Sequence, residues 1–85
     1  MKPVGDELDL HGLTVDEALP KLEQFLYTAF KAGLHRVWVV HGKGTGVLRR
    51  EVRRYLSSHP LVKSFGPADS TRGGIGATEV VLSEW

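Results

Sequence analysis

The fold is decided by the stretch Val37-Trp38-Val39-Val40-His41-Gly42-Lys43-Gly44-Thr45-Gly46-Val47-Leu48-Arg49. Its apolar start predicts a strand, its three glycines predict a tight loop, and the residues after Gly46 follow a helical spacing. A glycine loop between a strand and a helix favours anion binding, because converging N–H groups and the positive end of the helix dipole attract negative charge. The apolar run is typical of a parallel strand covered on both faces, which places Trp38 in the core.

The residues before this stretch predict a strand and a helix. Glu7-Leu8-Asp9-Leu10-His11 alternates polar and apolar residues, so Asp9 and His11 share one face of a strand. Thr14 and Glu17 have the spacing of a capping box, and apolar residues at helical spacing continue to Gly33. We expect Pro20 to loosen the first turn of this helix without ending it.

The residues after the glycine loop complete the fold class. They predict a helix over about 46–58, a strand over 61–65, a loop over 66–77 and a strand over 78–82. The resulting β-α-β-α-β-β order predicts an α/β protein, a two-layer α+β sandwich with two helices on a mixed four-stranded sheet. The first three strands should be parallel and the fourth antiparallel, because helical crossovers join only the first three.

Composition narrows the class of protein. The 85 residues carry a net charge of +1 and no cysteine, and no apolar run has the ~18–20 residues of a membrane span. We therefore expect one domain over residues 1–85, with its core at about 6–84, in the cytoplasm and without a membrane partner. The net charge does not indicate a nucleic-acid partner, so any indication of one has to come from the positions of the charged residues.

The carboxyl edge of the predicted sheet collects the candidate catalytic residues. Parallel strands end at the same edge, which brings Asp9 and His11 beside His41 and the glycine loop. A carboxylate next to an imidazole fixes its tautomer and favours its charged form, which suits acid–base chemistry on a phosphodiester. His41 either contacts phosphate, shares in proton transfer or anchors the loop, and the sequence leaves these alternatives open.

Lysine and arginine residues supply the candidate phosphate-binding groups. Lys43 lies in the glycine loop, but the Walker pattern is missing, so ATP binding by that route is not expected. The second helix carries four arginines opposite its apolar side, which is typical of a surface that follows a nucleic-acid backbone. The predicted nucleic-acid-binding residues are Lys43, Gly44, Thr45, Gly46, Arg49, Arg50, Arg53, Arg54 and Arg72.

Three further features leave alternatives open. Residues 71–76 form a second glycine-rich stretch, which either closes over a substrate or is a long connection. A divalent cation, Mg²⁺ or Mn²⁺, could bridge Asp9 and a phosphate, but no metal-ligand spacing supports a resident metal or another cofactor. Trp85 either stacks on a base or has no fixed place.

Three segments together resemble the Smr (small MutS-related) domain: Leu8-Asp9-Leu10-His11-Gly12, the run from His41 to Arg49, and Gly73-Gly74-Ile75-Gly76-Ala77-Thr78. The resemblance implies a fold similar to the C-terminal domain of translation initiation factor three. It also implies an endonuclease acting on DNA or RNA, with Asp9 and His11 linked to cleavage. In the family the domain usually ends a bacterial MutS paralogue that suppresses recombination and acts on stalled ribosomes, so ATP binding and oligomerisation would belong to other domains.

Two main functions follow, with a third held as less favoured. The first is a nuclease that nicks or cleaves DNA, branched recombination intermediates included, or RNA, with Asp9, His11 and His41 as catalytic residues. The second is a module that binds nucleic acid or the ribosome without chemistry, based on the arginines of the second helix. The third is a phosphate-ester enzyme acting on a nucleotide, against which the shallow edge of so small a domain argues.

Overall fold

A computed structural model describes residues 5–84, so the expectation for Trp85 lies outside the described residues. The strands and helices follow the predicted order: β1 Glu7–Asp9, α1 Val15–Lys31, β2 Arg36–Val40, α2 Val47–Ser57, β3 Val62–Pro67 and β4 Ala77–Leu82. Two short 3₁₀ turns, Ser70–Arg72 and Gly74–Gly76, lie between β3 and β4. Within residues 5–84, neither helix has the length and apolar character needed to cross a membrane.

The four strands form one mixed sheet in the order β1-β2-β4-β3. β1 pairs with β2 in parallel, and β4 pairs antiparallel with both β2 and β3. β3 therefore runs in the same direction as β1 and β2, as predicted, but it reaches the sheet on the far side of β4. The predicted α+β sandwich and its strand directions are confirmed.

Local sequence signals fix both ends of α1. Thr14 and Glu17 form the capping box, in which each side chain bonds the other residue's backbone N–H. At the other end Gly33 has φ +79°, and the N–H of Leu34 donates to the carbonyl of Ala29 over 3.1 Å, which is a Schellman motif. The helix continues across Pro20, as expected.

One face of the sheet packs on both helices and forms the core. Val37, Val39 and Val80 are fully buried there, and they contact a cluster that includes Leu22 of α1 and Val52 of α2. The alternate residues of β2 point to the other face, which no helix covers within the described part of the chain. The prediction that β2 is covered on both faces, with Trp38 in the core, is therefore wrong. Trp38 lies on the face of the sheet that no described helix covers, and Arg72 lies over its ring.

Candidate functional site

Asp9 and His11 form a hydrogen-bonded pair where β1 ends. Oδ1 of Asp9 accepts the ring Nδ1–H of His11 at 2.6 Å and the backbone N–H of His11 at 3.0 Å. The side chains are 56% and 69% exposed, so the pair is open to solvent. Donation from Nδ1 fixes the neutral tautomer whose Nε2 carries a lone pair, and Nε2 is therefore the atom that can take a proton.

The pKa of the Asp9 carboxyl is lowered from its ordinary value of 3.8, first by the hydrogen bond from the His11 ring and next by that from the His11 backbone. Asp9 is therefore a carboxylate at neutral pH. A carboxylate in this position also stabilises the imidazolium that forms when Nε2 accepts a proton. The pair has the arrangement of a general base and the group that orients it.

His11 lies against the start of the glycine loop, residues 42–46. Gly42 has φ +79°, and a Cβ built on it would lie 3.4 Å from Cβ of His11. The backbone holds the two strand ends together, because the N–H of Leu10 donates to the carbonyl of Val40 over 2.7 Å. The fold thus brings Asp9 and His11 next to the glycine loop, as the strand directions predicted.

His41 lies on the opposite, helix-covered face of the sheet and is buried. Its Nδ1–H donates to the carbonyl of Gly42 at 2.9 Å, and its Nε2 accepts the hydroxyl hydrogen of Thr78 at 2.9 Å. Because a carbonyl can only accept, this pattern assigns the neutral tautomer with hydrogen on Nδ1. Both ring nitrogens are occupied, so neither faces a substrate.

The electrostatic surroundings keep His41 neutral. Burial lowers its pKa below the ordinary 6.5, and the charges of Arg49 and Arg53 lower it further, against an opposing effect of the hydrogen bond to Gly42. The geometry therefore speaks against the catalytic role expected of His41. It matches the third alternative, in which His41 anchors the glycine loop.

The second glycine-rich stretch also holds the loop. The carbonyl of Gly76 accepts the N–H of His41 at 3.1 Å and the N–H of Gly42 at 2.9 Å. Asp69 caps the turn that precedes it by accepting from the N–H and the hydroxyl of Thr71. Residues 70–76 are thus folded into two turns and bonded to the site, which matches a connection better than a closing lid.

A cavity of about 240 Å³ opens between the glycine loop and the start of α1. Residues 12–15 form one wall, and residues 41–49 form the other. Within residues 5–84, the N–H groups of Lys43, Gly44, Thr45, Leu48 and Arg49 have no hydrogen-bond partner. Free amides at a helix start with Lys43 beside them are the groups that the prediction of anion binding at this loop requires.

The four arginines of α2 do not form one uniform face. Arg49 lines the cavity, and both Arg49 and Arg53 are half-buried on the side near His41. Arg53 keeps its Nε buried without a hydrogen-bond partner in the described part of the chain. Arg50 and Arg54 are exposed on the outer side, and Arg50 lies 3.4 Å from the carboxylate of Glu51. The predicted basic surface is therefore two rows, one half-buried on the side near His41 and one facing solvent.

Arg72 lies away from the cavity, on the uncovered face of the sheet. Its guanidinium is 3.6 Å from the ring centroid of Trp38, and its nitrogens lie 3.6 Å from Asp6 and 4.0 Å from Glu7. A cation–π contact and two carboxylates already balance its charge. The geometry does not support the phosphate-binding role expected of Arg72, because its partners are within the chain.

The donor set does not fit a resident metal centre. His41 lies on the other face from Asp9 and His11, so the three candidate ligands do not converge. Among residues 5–84 there is no cluster of three His, Asp or Glu side chains able to hold a metal ion. Asp9 has one carboxylate oxygen without a partner in that range, which is too few donors for a built site.

Sequence reasoning missed two structural roles. Thr78 is fully buried and fixes His41, and the only sign of it is its place at the end of the third motif. His59, to which no role was assigned from the sequence, is buried between the helices, where it donates to Glu23 at 2.6 Å and accepts the N–H of Leu61 at 3.1 Å. No local spacing connects residues 36 positions apart, so only the fold shows this contact.

Known proteins resemble this chain in sequence and in fold. The family profile of the Smr domain matches residues 8–83. The chain belongs to the Smr domain family. Endonuclease MutS2 of Pelotomaculum thermopropionicum is 49% identical over 96% of this chain, and endonuclease MutS2 of Thermomicrobium roseum is 51% identical over 93% of it. This Smr domain spans about a tenth of the length of those curated relatives.

Solved Smr domains confirm the fold. The crystal structure of the Smr domain of Thermus thermophilus MutS2 has a TM-score of 0.90 and 44% identity, and the match covers 93% of this chain and 99% of that one. YdaL, a stand-alone small MutS-related protein from Escherichia coli, has a TM-score of 0.88 and 29% identity, with 93% and 65% covered. The resemblance inferred from the three motifs is confirmed.

Proposed function

We propose that this Smr domain is an endonuclease that nicks or cleaves phosphodiester bonds in DNA or RNA. The observation that carries the proposal is the Asp9–His11 pair, bonded at 2.6 Å and exposed beside Gly42 of the glycine loop. Attack on a phosphodiester needs a base that accepts a proton and groups that bind the negatively charged phosphate, and the pair and the loop supply both. The relatives named endonuclease MutS2 support a nuclease.

In the proposed reaction, Nε2 of His11 takes the proton of the attacking hydroxyl, which belongs to water or to a ribose. The oxygen of that hydroxyl forms a bond to phosphorus while the bond to the leaving oxygen breaks, and the leaving oxygen gains a proton from the imidazolium or from solvent. Asp9 stabilises the imidazolium. Lys43, Arg49 and the free amides of the loop hold the phosphate and the charge that develops on it.

His41 acts in this scheme as a positioning residue. Its bonds to Gly42 and Thr78 keep the first peptide of the glycine loop in place. The anion site therefore depends on His41 although His41 does not touch the phosphate. No step is assigned to a metal ion, because the donors present do not make a metal site.

A comparison of His11→Ala with His35→Ala tests the proposal on supercoiled DNA and on structured RNA, with and without a chelator. His35 is an exposed histidine at the opposite end of β2, paired with Glu84 at 3.4 Å, so it controls for loss of a surface imidazole. Removal of a general base should lower the cleavage rate by about 10²–10⁴-fold, and the control should cleave at the wild-type rate. Wild-type cleavage by His11→Ala would refute the proposal, and loss of cleavage with chelator alone would add a divalent ion to it.

The two rows of arginines favour a second candidate, a binding module without chemistry. Arg50 and Arg54 are exposed on the outer side of α2, where phosphate contacts would be sequence-independent and weakened by salt. Under this alternative, His11→Ala keeps full function, and Arg50→Glu with Arg54→Glu abolishes binding. A binding constant that does not change with salt would count against phosphate contacts.

The polymer and the place of action belong to the same proposal. The arginines suit DNA and RNA alike, ribosomal RNA included, because phosphates are common to both. We infer that the domain acts in the cytoplasm, possessing neither a cysteine nor, within residues 5–84, a membrane-spanning helix. Parallel assays on plasmid DNA, structured RNA and ribosomes would rank the three partners.

A further inference from the structure

The cavity beside the glycine loop has an apolar wall that phosphate binding does not require. Val47, the first residue of α2, lines this cavity and is 42% exposed. Leu13 and Val15 line the opposite side and are half-buried. An anion site needs amides and cations, so three aliphatic side chains next to it point to an additional, apolar part of the ligand.

The size of the cavity limits that part to about one ring system. At about 240 Å³ the cavity is smaller than the roughly 300–1,000 Å³ of pockets that enclose a drug-sized ligand. A nucleic-acid duplex is far larger, and its bases expose no flat face while they are paired and stacked. Enzymes that bind a base in a pocket take it from a single strand or out of the stack, and hold it between apolar side chains.

Charge complementarity selects the occupant. Lys43 and Arg49 line the same cavity, together with the free amides of the loop, and all of them favour phosphate. Leu13 and Val15 lie on the wall opposite these groups, and Val47 lies on the same wall as they do. A single nucleotide has the two parts in this arrangement, an anionic phosphate and a flat base of low polarity on its faces.

We propose that this cavity receives the base of one unpaired nucleotide whose phosphate binds the glycine loop beside His11. The inference rests on the proposed function and adds a preference to it: the domain binds and cuts next to an unpaired nucleotide more readily than within a perfect duplex. Val47 is a specificity-determining residue in this scheme, since it contacts the base and takes no part in the chemistry. The preference applies to DNA and RNA, because it depends on base pairing and not on the sugar.

Binding of two labelled hairpins by the domain tests the proposal. The hairpins have the same stem, and one of them carries a single unpaired nucleotide. The test variant is Val47→Thr, which keeps the shape of the side chain and replaces one methyl group with a hydroxyl. The matched control is Ile75→Thr, because Ile75 is 56% exposed but lies in the second glycine-rich stretch, outside the cavity.

The wild type should bind the hairpin with the unpaired nucleotide about tenfold more tightly than the paired one. Val47→Thr should lose about fourfold of that preference, as expected for the apolar contact of one methyl group, with the affinity for the paired hairpin unchanged. Ile75→Thr should keep the full preference. In NMR spectra of the wild type, the hairpin with the unpaired nucleotide should shift the amide signals of Leu13, Val15 and Val47 more than the paired hairpin does.

Equal binding of the two hairpins by the wild type would overturn the proposal, and so would an unchanged preference in Val47→Thr. Cleavage is scored separately with His11→Ala, so the two proposals can fail independently. If His11-dependent cleavage persists without the preference, the endonuclease stands and the base pocket does not. If the preference persists while neither hairpin is cut, the base pocket is supported and the domain is a binding module without nuclease activity.

Discussion

Thr78 donates its hydroxyl hydrogen to Nε2 of His41 across 2.9 Å, in a contact that is fully closed to solvent on the threonine side. The bond joins β4 to the residue that precedes the glycine loop. The other ring nitrogen of His41 holds the carbonyl of Gly42, so one imidazole links the sheet to the loop that forms the anion site. The position of the glycine loop therefore depends on a hydrogen bond to a buried side chain of the sheet.

Thr78→Val should destabilise the domain by about 1–3 kcal/mol, because Nε2 of His41 would stay buried without its donor. Thr78→Ser keeps the hydroxyl and is the matched control, with a loss limited to one methyl group of packing. Denaturant unfolding of the two variants measures the difference. A valine variant as stable as the serine variant would show that the bond to His41 contributes nothing.

Gly42→Ala should impair both stability and cleavage. Gly42 has φ +79°, where an alanine costs about 1 kcal/mol, and the new Cβ would lie in van der Waals contact with Cβ of His11 at 3.4 Å. The strain should lower the stability, and a backbone that shifts to relieve it should move the glycine loop, and with it the phosphate, relative to His11. We expect a cleavage rate at least tenfold below the wild type, since small displacements at a reacting group are costly.

Gly33→Ala separates these two effects. Gly33 has the same φ of +79°, no atom of the described residues lies within 4 Å of an added Cβ there, and it lies at the end of α1. It should lose about the same stability as Gly42→Ala and keep wild-type cleavage. An equal loss of cleavage in both variants would assign the effect to general destabilisation and not to His11.

Glu23 should make the stability of the domain depend on acidic pH. Its pKa is lowered from the ordinary 4.5, first by the hydrogen bond from Tyr55 and also by that from His59, against the effect of burial. Because the folded-state pKa lies below that of the unfolded chain, the stabilisation is present above pH 4.5 and is lost as the pH falls through the folded-state value. Glu23→Gln should therefore be less stable than the wild type at neutral pH and approach it in acid, as measured by thermal unfolding across pH. A difference that does not change with pH would exclude this linkage.

The titration of Tyr55 at alkaline pH depends on its contact with Glu23. Burial, the hydrogen bond to Glu23 and the charge of Glu23 raise the pKa of Tyr55 from 10.0 to about 12. In Glu23→Gln the negative charge disappears while the amide oxygen can still accept from the phenol, so the phenolate should form at a lower pH than in the wild type. Ultraviolet titration of the phenolate detects the shift, with Tyr55→Phe identifying the signal of Tyr27. A titration of Tyr55 that is the same in both proteins would contradict the assigned causes.

The sequence predicted what depends on short-range spacing. The alternation around Asp9 and His11 placed both on one face of a strand, and the capping box and Gly33 marked the ends of α1. The direction of each strand followed from the connection before it. These features were accessible because their physical causes lie within a few residues of each other.

The roles of His41 and Arg72 required the order of the strands. His41 is anchored because β4 lies next to β2 and brings Thr78 to it. The order of the strands along the chain does not reveal that β4 lies between β2 and β3 in the sheet. Arg72 contacts Trp38 because one face of the sheet carries no helix within residues 5–84, whereas the apolar run in β2 indicated two covered faces. Both contacts join residues that are distant in sequence.

Asp9→Asn should separate the orienting role of Asp9 from its charge. The amide oxygen can still accept the Nδ1–H of His11, but the negative charge that stabilises the imidazolium is gone, so cleavage should fall by about 10²-fold or more. Binding of uncleaved nucleic acid should stay the same or tighten, because a negative charge near the phosphate is removed. Rates and binding constants at neutral pH, with Asp6→Asn as a control for loss of a nearby carboxylate, give the comparison. The hydrogen bonds from His11 lower the pKa of Asp9 below 3.8, so protonation of Asp9 should not limit the wild-type cleavage rate above pH 3.8. If the cleavage rate falls on acidification with an apparent pKa above 3.8, that pKa belongs to another group.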